Sequence, residues 1–350
     1  MRLLIVGPRW VGEWTEGVGR AAENLGHQAA LFYYLNNDSN YLKDMAKRSL
    51  PRSLEKVLRV GVDQVKRAKK VLMNHRLIAA ARAFQPDAIV ILKGETISEQ
   101  SLVTLRNLKI PLVSWWVDDP FRFPELLRHF ELFDLVYAFD KECVANLKER
   151  GLKHVMYLPC ACDPTTFYPQ SLDPADYPLL KCTVGFVAVY YPERAALLSQ
   201  MKGLDLGLWG SGWEAAPEFH ALPSGTWRGL RISAAEAAKV YNLAKICPNV
   251  HHAQTRSGGI NTRTFEIPAA GGFELVDKVP GLEEHFEVGR EIVSYSSPAE
   301  FRELADYYLS HPSERAAIIE RGRSRVLRDH TYRNRLEVIL KNLDGAHLFS

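Results

Sequence analysis

Between Ser257 and Phe273 the chain reads SGGINTRTFEIPAAGGF, a glycine loop that runs into a short helix and then a strand. Gly258 and Gly259 bare backbone amides just before Asn261 and Thr262, where the helix begins. A helix start gathers partial positive charge and unsatisfied N–H groups, which suit a diphosphate. Arg263 adds a guanidinium fork able to hold phosphate at two points. Glu266 lies five residues past Asn261, over a turn further along, where a carboxylate would meet the two hydroxyls of a ribose. The alternative is a tight helix–strand turn carrying an exposed ion pair.

Asp118 and Asp119 follow the apolar run ending at Trp116, so both carboxylates fall at the C-terminal edge of a strand, where open α/β sheets place ligands. A carboxylate there could take the proton of an attacking hydroxyl, with its pKa raised by the neighbouring acid and burial. An acceptor-binding pair, or a cap on the next helix, fits the same residues. Gly17-x-Gly19-x-x-Ala22 has the outline of a dinucleotide fingerprint and keeps an NAD-dependent oxidoreductase open as an alternative. It begins ten residues after the Gly7 that closes the first strand, instead of directly after it. His251 and His252 precede the glycine loop without ligand spacing to acids or thiols and read as ordinary loop residues. The five Cys (143, 160, 162, 182, 247) have neither disulfide nor zinc spacing and read as reduced core thiols.

These groups must be positioned by a framework, and the 350 residues suffice for about two domains with cores of their own. Short β-branched and Leu runs alternate with helical stretches throughout, the pattern of parallel sheets with crossover helices, so the fold class is α/β and doubly wound. Strands are expected at 3–7, 29–33, 88–92, 112–116, 135–139 and 154–158 in the first half. The second half should hold strands at 182–187, 206–209, 245–247, 272–276 and 291–293. Helices are expected near 192–202, 233–243, 262–270, 298–309 and 313–328. A proline-rich stretch from Cys162 to Pro178 lacks periodicity, as a linker should. Two similar halves invite a cleft between them.

Net charge is +3, but residues 43–82 hold twelve Lys/Arg against three acids, a local +9 that leaves −6 elsewhere. Leu54, Val57, Leu58, Val62, Val65 and Leu72 recur at helical spacing, which predicts an amphipathic helix with a basic outer face: a solvated helix, or one that meets an anionic membrane or acceptor. No aromatic residue is interleaved with these charges, so nucleic acid is not expected as a partner. The start, MRLLIVGPRW, is too short in apolar residues for a secretion leader, and no run reaches the ~18 needed to span a bilayer. A cytoplasmic protein, peripheral to the inner membrane face if the basic helix docks there, is the expectation.

Several of these segments together resemble the CgeB-like glycosyltransferases, a group within the two-Rossmann GT-B architecture. The resemblance rests on Gly185-Phe-Val…Tyr191-Pro-Glu-Arg194, Trp209-Gly-Ser-Gly-Trp213, Asn261-Thr-Arg-Thr-Phe-Glu266, the glycine pair after Ala270, and His330-Thr-Tyr-Arg333. Weaker echoes are Trp116-Val-Asp-Asp-Pro120 and Leu158-Pro…Asp163-Pro164. It implies an acceptor-binding Rossmann-like domain over 1–170, a nucleotide-sugar-binding one over 171–329, and a final segment 330–350 packing back on the first. It further implies transfer of a sugar from a nucleotide diphosphate, UDP or dTDP, to an acceptor hydroxyl, without a metal. Arg194 would hold the diphosphate and Glu266 the ribose, while Trp209, Gly210 and Trp213 would line the base or sugar pocket. The loop from Gly7 to Gly12, with Arg9, would rim the acceptor cleft. Glu266 and Glu274 match the E-x7-E spacing of many such enzymes, but Glu266, followed by small residues and glycine, corresponds to the second glutamate. The first then falls on Gly258, which has no carboxylate, and Glu274 reads as structural. A noncatalytic nucleotide-sugar-binding protein is the further alternative.

Overall fold

The computed structural model describes residues 1–9, 13–34, 52–229, 231–255 and 258–345. Six parallel strands form the first sheet: β1 (Arg2–Pro8), β2 (Gln28–Tyr34), β3 (Ala88–Leu92), β4 (Leu112–Trp116), β5 (Leu135–Ala138) and β6 (Val155–Tyr157). Their order is β2-β1-β3-β4-β5-β6. The order reverses between β1 and β3, which opens a crevice at the strands' C-terminal ends. β3 and β4 are buried at every position, because helices cover both faces, and this explains their unbroken apolar runs. The helices of this half are α1 (Trp14–Asn24), α2 (Arg52–Phe84), α3 (Glu99–Arg106) and α4 (Lys141–Glu149).

The second half holds β7 (Val184–Val187), β8 (Leu206–Trp209), β9 (Trp227–Gly229), β10 (Cys247–Asn249), β11 (Glu274–Asp277) and β12 (Val293–Tyr295). They lie as two three-stranded parallel groups, β9-β8-β7 and β10-β11-β12. A parallel bridge between Val184 and Ile246, with Gly185 N donating to Ile246 O at 2.9 Å, joins them. The continuous order β9-β8-β7-β10-β11-β12 therefore reverses between β7 and β10. Only β9 lacks a sequence expectation: three half-exposed residues leave no apolar run to read. Helices α5 (Pro192–Leu198), α6 (Ala234–Leu243), α7 (Arg263–Ala269), α8 (Leu282–His285), α9 (Pro298–Ser310) and α10 (Pro312–Asp329) cover this sheet.

After α10 the chain returns to the first half as α11 (Tyr332–Gly345), whose Leu336, Ile339 and Leu343 pack with Trp14, Val18 and Leu3. The two crossings between halves are stitched side by side: Cys162 N donates to His330 O (3.1 Å) and Tyr332 N to Cys162 O (3.0 Å). Buried Arg335 binds the carbonyls of Pro159, Cys160 and Asp329, tying both crossings together. A shared hydrophobic cluster runs from Phe139 and Cys143 of the first half to Ile260 and Phe265 of the second. All five cysteines are buried free thiols.

Candidate functional site

The C-terminal ends of β7 and β10, where the second sheet reverses its order, carry two arginines. Arg194 stands on α5, which Pro192 opens. Its Nη1 donates to Val189 O (2.8 Å) and its Nε to Val250 O (3.2 Å). Arg263, first residue of α7, donates from Nη1 to Val187 O (3.1 Å) and from Nη2 to Val250 O (3.2 Å). Among the described residues neither guanidinium forms an ion pair; both are anchored by strand-end carbonyls. Burial, reinforced by the Arg263 charge, pushes the Arg194 guanidinium below its usual range. Two such cations side by side repel, and an anion set between them would relieve that repulsion.

Behind α7 lies a buried polar frame. His251 is fully buried; its backbone N and ring Nδ1 donate to Asp277 Oδ1 at 2.9 and 2.7 Å. Asn261 N donates to His251 Nε2 at 3.2 Å. Asn249 Nδ2 lies 2.8 Å from Glu274 Oε1, and Asn261 Nδ2 donates to Asn249 Oδ1 at 3.0 Å. Asn261 Oδ1 accepts from Thr264 N at 3.2 Å and caps the helix. The backbone N and the side chain of Asn261 are thus both committed to the frame, which corrects its reading as a helix-start amide free to meet the donor. Burial pushes the Glu274 carboxyl up to about 8, against the Asn249 hydrogen bond, and its Oε2 is buried without a partner. Glu266 is pushed up to about 7 by burial, with the Arg263 charge and a Thr262 hydrogen bond opposing. Thr262 precedes α7, half-buried beside Arg263.

The glycines around α7 serve packing as well as conformation. Gly258 adopts φ 118°, which disfavours any side chain. A Cβ on Gly259 would stand 2.2 Å from Phe139 Cε2 of the first half, so the bare backbone lets the two halves close on each other. A Cβ on Gly210 would lie 1.9 Å from Ala188 O, so the ends of β7 and β8 meet only through glycine. Trp213 does not line a pocket: it is fully buried between Phe186 and Tyr190, with its indole N–H donating to Ala188 O at 2.7 Å. Apolar packing claims its ring, which corrects its placement as a ligand contact. Trp209 is likewise buried.

Asp118 faces these groups from the first half. Its Oδ2 lies 2.6 Å from Lys93 Nζ, and its Oδ1 accepts from Gln254 Nε2 across the cleft at 3.0 Å. Gln254 also bonds Arg122. Lys93 directly follows β3 at φ 65°, a strained backbone for a lysine, and reaches Glu95 Oε1 at 3.7 Å. Burial lowers the Lys93 pKa, but Asp118 and Glu95 outweigh it and the net shift is upward. The Tyr34 hydroxyl lies between Leu92 O (2.8 Å) and Glu95 Oε2 (3.2 Å). Asp119 Oδ1 instead caps a 3₁₀ turn by accepting from Phe121 N at 2.9 Å. The pair therefore divides: Asp118 looks across the cleft while Asp119 holds its own loop.

Arg9 is exposed after β1, its guanidinium 5.7 Å from the Tyr33 ring centre; Gly12 lies outside the described residues. Gly17 and Gly19 lie inside α1, and a Cβ on either would come within 2.6 Å of Tyr332 or Leu31. They pack the helix and cannot form the phosphate turn of a dinucleotide fingerprint. Lys93, Gln254, Asn249 and Asp277 carry no motif. Position supplies the signal for three of them, since Lys93, Asn249 and Asp277 sit at strand ends much as Asp118 does. The buried bridge made by His251 corrects its reading as an ordinary loop residue.

Residues 194–341 match the family described as glycosyl transferase-like. The chain is 25% identical over 251 residues to the spore protein CgeB of Bacillus subtilis (strain 168), covering 67% of this chain and 75% of that protein. Anabaena HepE, solved in complex with UDP-glucose, superposes with a TM-score of 0.63 at 13% identity, covering 99% of this chain and 100% of that one. Sucrose-phosphate synthase from Thermosynechococcus elongatus gives 0.64 at 11% identity, again over 99% and 100%. A UDP-forming trehalose-phosphate synthase from Burkholderia vietnamiensis gives 0.59 at 13%, with the same coverage.

Proposed function

We propose that the chain is a CgeB-like glycosyltransferase of the GT-B fold that uses a nucleotide sugar, and that its donor is a UDP- or dTDP-linked sugar bound without a metal. Arg194 and Arg263 hold the diphosphate and Glu266 the ribose. The observation that carries this reading is the arginine pair on Val250 O, two cations at the sheet's reversal point with backbone carbonyls as their partners. UDP or UDP-glucose bound to a neighbour of the same fold agrees with it.

The chemistry follows from the charges. As the sugar–phosphate bond breaks, negative charge grows on the leaving diphosphate, and two fixed guanidiniums stabilise it more than they stabilise the bound donor. Asp118 Oδ1, turned to the cleft, accepts the proton of the attacking hydroxyl once the acceptor takes the place of Gln254. Lys93 is a positioning residue whose ammonium, 2.6 Å from Asp118 Oδ2, fixes the carboxylate's rotamer. Glu95 and Tyr34 extend this polar edge toward a hydroxyl-rich acceptor.

Calorimetric titration with UDP, dTDP and uridine, followed by a screen of UDP-sugars for transfer and hydrolysis, tests the proposal. Tight binding of a diphosphate with weak uridine binding supports it. Binding of NADH in preference to UDP would overturn it, and donor binding without any turnover would leave a noncatalytic binding protein.

A further inference from the structure

Helix α2 is 33 residues long, about 50 Å at 1.5 Å per residue, while the strands beside it have seven residues at most. Among the described side chains its packing against the first sheet runs through Met73, Leu77 and Ala81. From 63 to 72 every residue is half-buried or exposed. Asn74 marks where the helix leaves the body: Ser98 N donates to its Oδ1 (2.8 Å), and its Nδ2 reaches Thr96 O (3.3 Å). That loop follows β3 and carries Lys93 and Glu95. The turns before Asn74 thus run past the C-terminal edge of the sheet, on the side where Asp118 faces the cleft.

The solvent face of these turns is not simply polar. Val65, Val71 and Leu72 are 54%, 58% and 50% exposed. Val65, Ala68 and Leu72 stand at i, i+3 and i+7 and form one stripe, and Lys69 and Arg76, both exposed, fall within about 60° of it at 100° per residue. The wider segment 43–82 carries +9. We propose that this face docks on an anionic phospholipid surface, so that the acceptor edge of the cleft opens toward the bilayer. A second copy of the chain would set +9 against +9. A soluble polyanion would satisfy the cations but leave three aliphatic side chains in water. A lipid surface accepts both: the stripe enters the interface and the cations meet headgroup phosphates, each basic residue near an anionic leaflet contributing roughly fivefold in partition. The docking itself does not depend on the donor assignment; only its consequence for the acceptor does.

Sedimentation of the full chain with phosphatidylcholine vesicles, with and without an equal share of phosphatidylglycerol, at low and high salt, is the test. Binding should require the anionic lipid and weaken with salt. The triple change V65S/V71S/L72S should lower partition at least tenfold, and K69Q/K70Q/R76Q about a hundredfold, with UDP affinity of both variants unchanged as the check on folding. No binding to anionic vesicles at low salt overturns the proposal. Undiminished binding by the serine variant also overturns it in favour of a purely electrostatic polyanion site, and a concentration-dependent dimer abolished by the same changes overturns it in favour of self-association.

Discussion

Arg194 Nε and Arg263 Nη2 donate to one and the same oxygen, the carbonyl of Val250, each at 3.2 Å. The two residues lie on different helices 69 positions apart, yet the strand end between them brings their charges together. The carbonyls of Val187, Val189 and Val250 anchor the two cations without neutralising them, so an anion is expected to relieve their repulsion. Replacing either arginine by Gln should weaken UDP binding by about 1.5–3 kcal/mol, roughly tenfold to a hundredfold, and leave uridine binding unaltered. The apo melting temperature should hold or rise, since one member of a repelling pair is removed. Calorimetry with UDP and uridine, beside thermal melts, checks both statements.

The two buried glutamates should part company. Glu266 titrates near 7 because burial outweighs Arg263 and Thr262, and ribose hydroxyls donate to its ionised form. Affinity for a UDP-sugar, whose diphosphate does not titrate in this range, should therefore fall toward tenfold per pH unit below about 7. Glu266→Gln should weaken binding about tenfold to a hundredfold and flatten that profile. If Glu274→Gln loses affinity instead while Glu266→Gln binds normally, the ribose site must be moved.

Glu274 bears on stability. Its folded pKa, about 8, lies above the ordinary carboxylate value of 4.5. The folded protein then holds a proton the unfolded chain releases, so this contribution is complete below about pH 4.5 and disappears as pH rises through about 8. Glu274→Gln removes the dependence. Melting temperatures from pH 5 to 9 should show wild type losing stability relative to the variant as pH rises.

Asp118→Asn should lower kcat by about a hundredfold to ten-thousandfold with UDP affinity unchanged, the range expected for loss of a positioned base. Asp119→Asn should lower the melting temperature with a much smaller effect on rate. Lys93→Met removes the ammonium that holds the Asp118 carboxylate in place, so kcat should fall while UDP affinity holds. A kcat unmoved by Lys93→Met would deny it the positioning role.

Gly259→Ala drives a Cβ into the Phe139 ring, 2.2 Å from Cε2, and should cost about 1–3 kcal/mol, as overpacking does. Phe139→Leu opens that space. In a double-mutant cycle the combined variant should be no less stable than Phe139→Leu alone, because the clash is the source of the loss.

Transfer should survive EDTA, because Arg194 and Arg263 supply the positive charge that a divalent cation otherwise brings to a diphosphate. Activity abolished by chelation and restored by Mn²⁺ or Mg²⁺ would reverse that expectation.

Composition and periodicity determined the alternation of strand and helix by themselves, because a strand buried on both faces must be apolar throughout. Ala88–Leu92 and Leu112–Trp116 are legible to the residue for that reason, whereas Trp227–Gly229 is an edge strand with no apolar run. Residue type also put Arg263 and Glu266 on the short helix after the glycine loop, since a glycine loop entering a helix announces itself locally. What only the tertiary structure decided is which side chains are available and which meet. Trp213 is chemically apt for a pocket, but Phe186, Tyr190 and the Ala188 carbonyl enclose it. Lys93 and Asp118 meet because β3 and β4 pair in parallel, His251 and Asp277 because β10 and β11 do, and Gln254 reaches Asp118 only because the two halves close. Strand order and domain closure are non-local consequences of burying surface, which hydrophobic spacing along the chain does not encode.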